Sequence, residues 1–331
     1  MPDPSLDVLC IGNAIVDVIA DASDEFLHKE GLVKGTMRLI EADEAERLYS
    51  HMGPAHQVSG GSAGNTAAGI AALGGRAGFI GQVAPDQLGE FYRHDLTAAG
   101  VSFTTPASDV GAPTARSMIL VTPDGHRTMN TFLGAAQHLP AAALDEQQIR
   151  DSAILYLEGY LWDPETPRNA MIRAIDLARR AGRKVAFTLS DIFCVDRHRD
   201  GFNHLLDQGQ IDILFANQAE VEALAGVPHL ETAVASIAPK VNSLVVTRSE
   251  DGALAARAGQ RADVPAEPIQ KLVDTTGAGD LFAAGFLVGE ARGLGLEQSL
   301  RLGAICAAEV IQHYGARPEA DLRTRAAELI S

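Results

Sequence analysis

The chain of 331 residues is 46% hydrophobic and 21% charged, the profile of a globular protein and not of a disordered one. Its formal net charge of −16, with lysines and arginines scattered, excludes a general nucleic-acid binder, and no run approaches the ~18 apolar residues of a membrane span. An anionic substrate would meet an unfavourable long-range field, so any anion site has to be built locally from backbone dipoles and one or two arginines. The opening segment MPDPSLDVLCIGN lacks the basic and apolar stretches of an export signal. The three cysteines, Cys10, Cys194 and Cys306, form neither a disulfide framework nor a CxxC pair. A cytoplasmic protein is expected.

In chain order, DVLCIG (7–12) reads as a first strand. Residues 14–41 then carry short alternating strands, IVDVIAD and MRLIE, with little helix between them. GGSAGNTAAGIAALGG (60–75) passes from a glycine-rich turn into a small-residue helix, and AGFIGQV (77–83) is the next strand. GEFYRHDLTAAG has a helical period. Residues 102–132 again hold short strands, RSMILVT and RTMNTF, joined by a hairpin turn at DGH (124–126). AILYLEG (153–159), KVAFTL (184–189), DILFAN (212–217) and NSLVVT (242–247) follow as apolar strands, separated by helical segments such as TPRNAMIRAIDLARRAG and NQAEVEALAG. Two consecutive helices, 280–293 and 297–313, close the pattern. Apolar strands alternating with helices predict an α/β fold, a mostly parallel sheet covered on both faces. The segments 14–41 and 102–132 predict a small β-sheet lid on a single domain spanning 1–331.

The stretch VDTTGAGD (273–280) places two glycines before a helix. Gly277 and Gly279 permit backbone angles and close approaches closed to other residues. With a helix starting at Asp280, the amides of 277–280 would gather at the positive end of its dipole and stabilise an anion. Asp280 then reads either as a helix cap or as a base for a nucleophilic alcohol beside an anion hole. The GGSAGN cluster contributes Asn65, read as a packed helix start unless a ligand claims it. In GNAIVD (12–17), Asp17 stands in a strand between Val16 and Val18, a costly position unless it is exposed or hydrogen-bonded. A P-loop, a GxGxxG after the first strand and an HExxH pattern are all absent.

These motifs together resemble the ribokinase-like, phosphofructokinase B-type family of small-molecule kinases over nearly the whole chain. The most specific element is DTTGAGD (274–280), supported in order by GGSAGN (60–65), GQVAPDQLG (81–89) and NQAE (217–220). GNAIVDV, KGTMRLIEADEAERLY and LSDIFCVD (189–196) are similar to the adenosine kinases of that family more than to its ribokinases. The resemblance implies a three-layer α/β/α core with a small β lid, and transfer of the γ-phosphate of ATP to a primary hydroxyl, foremost the 5′-hydroxyl of adenosine. It implies Asp280 as catalytic base, with Gly277, Ala278 and Gly279 as the anion hole. It puts Asn13, Asp17, Gly61 and Asn65 on sugar hydroxyls, Arg127 near the phosphates, and Met129, Thr131 and Phe193 around the base. Asn217, Thr247, Gly252 and Ala304 match the nucleotide side, and Glu220 a site organising Mg2+ through water. K+ activates some relatives and is a further candidate cofactor.

Three residues depart from the family pattern: Arg248 and Ser249 stand where a glycine is frequent, and Asp191 where a small neutral residue is expected. They leave a free sugar or another nucleoside open as acceptor. A non-catalytic binding protein on the same scaffold and a dinucleotide-dependent oxidoreductase are the rivals from other classes. The partner is a small molecule, with neither nucleic acid nor membrane, and the sequence leaves a monomer or a lid-paired homodimer open.

Overall fold

The computed structural model describes residues 4–330; of the segment read for an export signal, residues 1–3 lie outside them. The main sheet has nine strands. From its centre outward on one side run β1 (Leu6–Ile11), β5 (Ala77–Ile80) and β6 (Ser102–Phe103). On the other side run β9 (Ser152–Glu158), β10 (Lys184–Thr188), β11 (Ile213–Asn217), β12 (Ser243–Thr247), β13 (Ala253–Arg257) and β14 (Gln260–Val264). All pairs from β6 to β12 are parallel, and β13 and β14 add an antiparallel hairpin at the edge. Strand β1 shows why the sheet needs cover on both faces: Val8 and Cys10 enter one apolar core, Leu9 and Ile11 the other. Successive side chains of a strand point to opposite faces, so an uninterrupted apolar run can be buried only between two layers.

Helices α3 (Ser62–Ala72), α10 (Ala278–Ala291) and α11 (Leu296–Val310) contribute to the first core. Helices α6 (Glu165–Arg180), α7 (Ile192–Asp207), α8 (Gln218–Ala225) and α9 (Leu230–Ile237) contribute to the second. No helix is long and apolar enough to cross a membrane among the described residues.

The second sheet has five strands in the order β3 (Met37–Leu39), β8 (Arg127–Phe132), β7 (Ala115–Val121), β2 (Ile15–Asp21) and β4 (Ala55–Gly60). Its outer face packs Met118, Leu120 and Phe132 against Leu27 of α1 (Asp24–Lys29) and Leu48 of α2 (Ala42–His51). The expected lid segments need three corrections. Residues 102–103 pair with β5 in the main sheet, and β4, outside both expected segments, forms the lid edge beside β2. Helix α1 stands within 14–41, where little helix was expected, and α2 follows directly after that segment. Strand β4 (AHQVSG) is exposed over its first half, so it carries no apolar alternation and only pairing with β2 makes it a strand.

Candidate active site

A cavity of about 520 Å³ opens between the inner face of the small sheet and the ends of β9–β12, where α3, α8 and α10 begin. Two helix starts meet in it. Asp280 Oδ1 accepts from Ser62 Oγ at 2.6 Å and Oδ2 from Asn65 Nδ2 at 2.9 Å. Helix α10 begins at Ala278, with Gly277 as its N-cap at φ 79°. Asp280 is therefore the third helical residue, and its carboxylate binds α3 instead of capping its own helix. A Cβ on Gly277 would also come within 2.5 Å of the Ala316 Cβ, so both backbone angle and space require glycine. The Ala278 amide is occupied by the Thr275 carbonyl, which leaves Gly277 and Gly279 of the expected anion hole, with Asp280 beside them. Their amides precede the first intrahelical bond, Leu281 N to Gly277 O, and lie at the positive end of the helix dipole.

Asp280 is half-buried, and burial raises its carboxyl above the usual range, opposed by its bonds to Ser62 and Asn65 and by the Arg317 charge. Asp17 faces the same cavity from β2. Burial pushes it up to about 7, while Arg317 and Arg127 draw it down. A carboxylate that takes up a proton near neutrality suits a site where hydroxyl groups bind. Gly61, the N-cap of α3 at φ 83°, lines the cavity, and a Cβ there would collide with the Asn13 carbonyl.

Asn13 does not line the cavity. Its backbone N and Nδ2 donate to Glu158 Oε1 at 2.6 and 2.7 Å, while Ala63 N donates to Glu158 Oε2 at 2.8 Å. The fully buried Glu158 ties the β1 end to the α3 start, and desolvation lifts its carboxyl to about 7. Sequence reasoning missed it; the only signal was a lone acid at the end of the apolar YLEG strand.

Arg127 reaches from the lid to the loop before α10, pairing with Asp274 Oδ2 at 2.8 Å and donating to Thr276 Oγ1 at 3.4 Å. In this conformation it is held by protein groups on the anion-loop side of the cavity. Met129 and Thr131 line the cavity from β8. The register pairs them with Met37 and Leu39 of β3, so all four belong to one face of the lid. Met37 and Leu39 are exposed; the MRLIE strand that holds them was read from the sequence, but no role was assigned to either residue, because the partner strand that sets their face lies about 90 residues away.

Residues 6–323 match the family model of the pfkB family carbohydrate kinases. The chain belongs to that family. It is similar to the crystal structure of an adenosine kinase from Sinorhizobium meliloti, with 49% identity and a TM-score of 0.90 over 98% of this chain and 99% of that one. It is equally similar to a probable sugar kinase from Rhizobium etli CFN 42, with 47% identity and a TM-score of 0.92 over 99% and 100% of the two chains. The adenosine kinase of Saccharomyces cerevisiae is 28% identical over 93% of this chain and 95% of its own. The protein is thus an ATP-dependent phosphotransferase acting on a carbohydrate or nucleoside.

The remaining expected positions of this kinase divide. Asn217, Glu220 and Thr247 line the cavity. Asn217 caps α8 in a reciprocal box: Glu220 N donates to Asn217 Oδ1, while Asn217 N and Nδ2 donate to the Glu220 carboxylate at 2.9 and 2.7 Å. Both Glu220 oxygens are occupied and desolvation lifts the group to about 7. With both carboxylate oxygens engaged by Asn217, Glu220 fits a hydrated Mg2+ that it would reach through water.

Gly252 and Ala304 are not part of the cavity lining: Gly252 forms the tight turn between β12 and β13, and Ala304 is buried in α11. Phe193 stands in the first turn of α7, 65% exposed and outside the lining. Asp191 caps α7 by accepting from Cys194 N at 2.6 Å, and Arg248 lies 3.4 Å from Asp263. Both odd residues therefore have local structural partners.

Proposed function

We propose that this kinase phosphorylates adenosine at its 5′-hydroxyl, with Asp280 as the base. The observation that carries the reading is the Asp280 carboxylate, fixed by Ser62 and Asn65 at the mouth of the glycine loop. The acceptor hydroxyl gives its proton to Asp280 as its oxygen attacks the γ-phosphorus of ATP, and the bond from that phosphorus to the β,γ-bridging oxygen breaks to release ADP. The first-turn amides of α10 stabilise the charge on the transferred group, because phosphoryl transfer depends on positioning and electrostatics. Asp17 and Asn65 bind ribose hydroxyls; Asp17 accepts from hydroxyl groups when ionised and can both accept and donate when protonated. Mg2+, held through water near Glu220, would neutralise phosphate charge.

An apolar lid face of Met37, Leu39 and Met129 supports a purine acceptor, with Phe193 stacking on the base once the lid has closed. A free sugar is the second reading, favoured by the position of Phe193 outside the cavity. The test is phosphorylation with ATP and Mg2+ over adenosine, inosine, guanosine, ribose and fructose, with and without K+. Adenosine is expected to show the highest kcat/KM; faster turnover of ribose or fructose sinks the adenosine assignment and keeps the chemistry.

A further inference from the structure

Four consecutive residues after α11 each hold a different part of the site. The Tyr314 ring lies 5.5 Å from the Arg127 guanidinium. Gly315 N donates to Asp274 Oδ2 at 2.9 Å. Ala316 fills the space a Gly277 side chain would need. Arg317 donates from Nη1 to the Gly64 carbonyl at 3.0 Å, and from Nη2 to the Ser59 carbonyl and to Ser59 Oγ, the latter at 2.8 Å.

Ser59 is held from the opposite direction as well, its N and Oγ both donating to Asp95 Oδ2. Between Ser59, near the end of the lid edge β4, and Gly64, in the first turn of α3, lies the passage from lid to core. That passage contains Ser62, one of the two partners of Asp280.

We propose that Arg317 is a positioning residue for phosphoryl transfer: it clamps the 59–64 junction so that Ser62 and Asn65 meet Asp280, and it sets a cation beside the Asp17 and Asp280 carboxylates. The inference rests on the reading of Asp280 as the base. The charges around the pair are mostly negative, and a cation offsets them. Asp17 has Asp280 and Asp274 as negative neighbours, with Arg317 and Arg127 opposing them. Asp280 is countered by Arg317, and its negative charge acts in turn on Glu158 and on the Tyr156 hydroxyl from β9. Arg317 is itself desolvated, which lowers its own pKa, with Asp95, Asp17 and Asp280 acting against that. A guanidinium stays protonated under such burial and can bond two carbonyls and a hydroxyl at once from a rigid fork.

The experiment is the pH dependence of kcat for Arg317→Gln and Arg317→Lys beside the wild type and Asp280→Asn, using whichever acceptor the wild type turns over best. A base must be ionised to act, so activity falls on the acid side of its pKa. Removing a nearby cation raises that pKa. Arg317→Gln is expected to move the acid limb to higher pH by on the order of one unit and to lower kcat about tenfold. Arg317→Lys, kept protonated by the three surrounding aspartates, is expected to return the limb towards its wild-type position while kcat stays reduced.

A folded Arg317→Gln with an unmoved acid limb overturns the proposal. Should that variant not fold, Arg317→Lys decides alone: an acid limb displaced to high pH despite the retained charge overturns it. Near-normal turnover by Asp280→Asn identifies instead a failure of the base assignment, separate from the role of Arg317.

Discussion

Asp280 Oδ2 accepts from Asn65 Nδ2 at 2.9 Å across 215 residues of sequence, joining the starts of α3 and α10 into one constellation. Together with Ser62 Oγ on the other oxygen, this bond orients the carboxylate towards the cavity and favours its ionised form. Replacing Asp280 by Asn leaves the geometry nearly isosteric and removes the base. Turnover is expected to fall at least about 100-fold, with acceptor binding by calorimetry changed less than about fivefold. A mutant with near-normal kcat contradicts the assignment.

The two glycines of GAG separate structure from chemistry. A Cβ at Gly277 meets Ala316 and a left-handed backbone, whereas a Cβ at Gly279 meets nothing within 4 Å and faces open space. Gly277→Ala is expected to cost about 1–3 kcal/mol of stability. Gly279→Ala should leave the unfolding midpoint unchanged yet lower kcat, because the methyl group enters the space of the transferred phosphoryl. Urea unfolding beside steady-state kinetics checks both; wild-type turnover by Gly279→Ala argues that the loop is only a turn.

The Arg127–Asp274 pair ties the lid to the anion loop with both side chains under 10% exposed. Asp274 also accepts from Thr276 N and Oγ1 and from Gly315 N, so its loss leaves several donors and one cation without an acceptor. Asp274→Ala is expected to destabilise the protein by about 3–5 kcal/mol. Arg127→Ala should cost less, since the Asp274 carboxylate retains its other donors, and should raise the KM for ATP if the arginine transfers to phosphate on closure. Equal unfolding midpoints for Asp274→Ala and wild type would remove the loop-anchoring role.

Stability should depend on pH in the direction opposite to ordinary acid denaturation near neutrality. Asp17, Glu158 and Glu220 are each raised to about 7 by desolvation, so between about pH 4.5 and 7 the folded state binds more protons than the unfolded one. Stability then falls as pH rises through that window. The carboxylates held low, such as Asp86, Asp163 and Asp263, lose their contribution only below their unfolded values. In the absence of ligands the melting temperature is expected to be roughly 2–5 °C higher at pH 5.5 than at pH 8. Thermal scans at constant ionic strength test this, and a flat or rising profile rejects it.

The exposed Phe193 offers a further discriminator. With 65% of its surface free it contributes little packing, so Phe193→Ala should leave the melting temperature within about 1 °C. The KM for adenosine should rise about tenfold if the ring stacks on the base in the closed form. An unchanged KM assigns base recognition to the lid face alone.

Local pattern determined much of this protein. Apolar runs such as DVLCIG and NSLVVT specify strands buried on both faces, whatever surrounds them, and glycines before a small-residue helix specify the turn at 277. The family motifs carried the α/β core, the reaction and the position of Asp280. Pairing decided what pattern cannot encode. Strand β4 lacks apolar alternation and exists because β2 lies beside it, and Glu158 became a buried tether only when β9 brought it beneath Asn13 and Ala63. Asp280 turned from a possible cap into a partner of α3 because the parallel sheet gathers helix starts at one edge. Arg317 likewise has no local motif; its acceptors at 59 and 64 lie more than 250 residues away. Hydrogen bonds of that span follow from how layers pack, and only the folded chain brings their ends together.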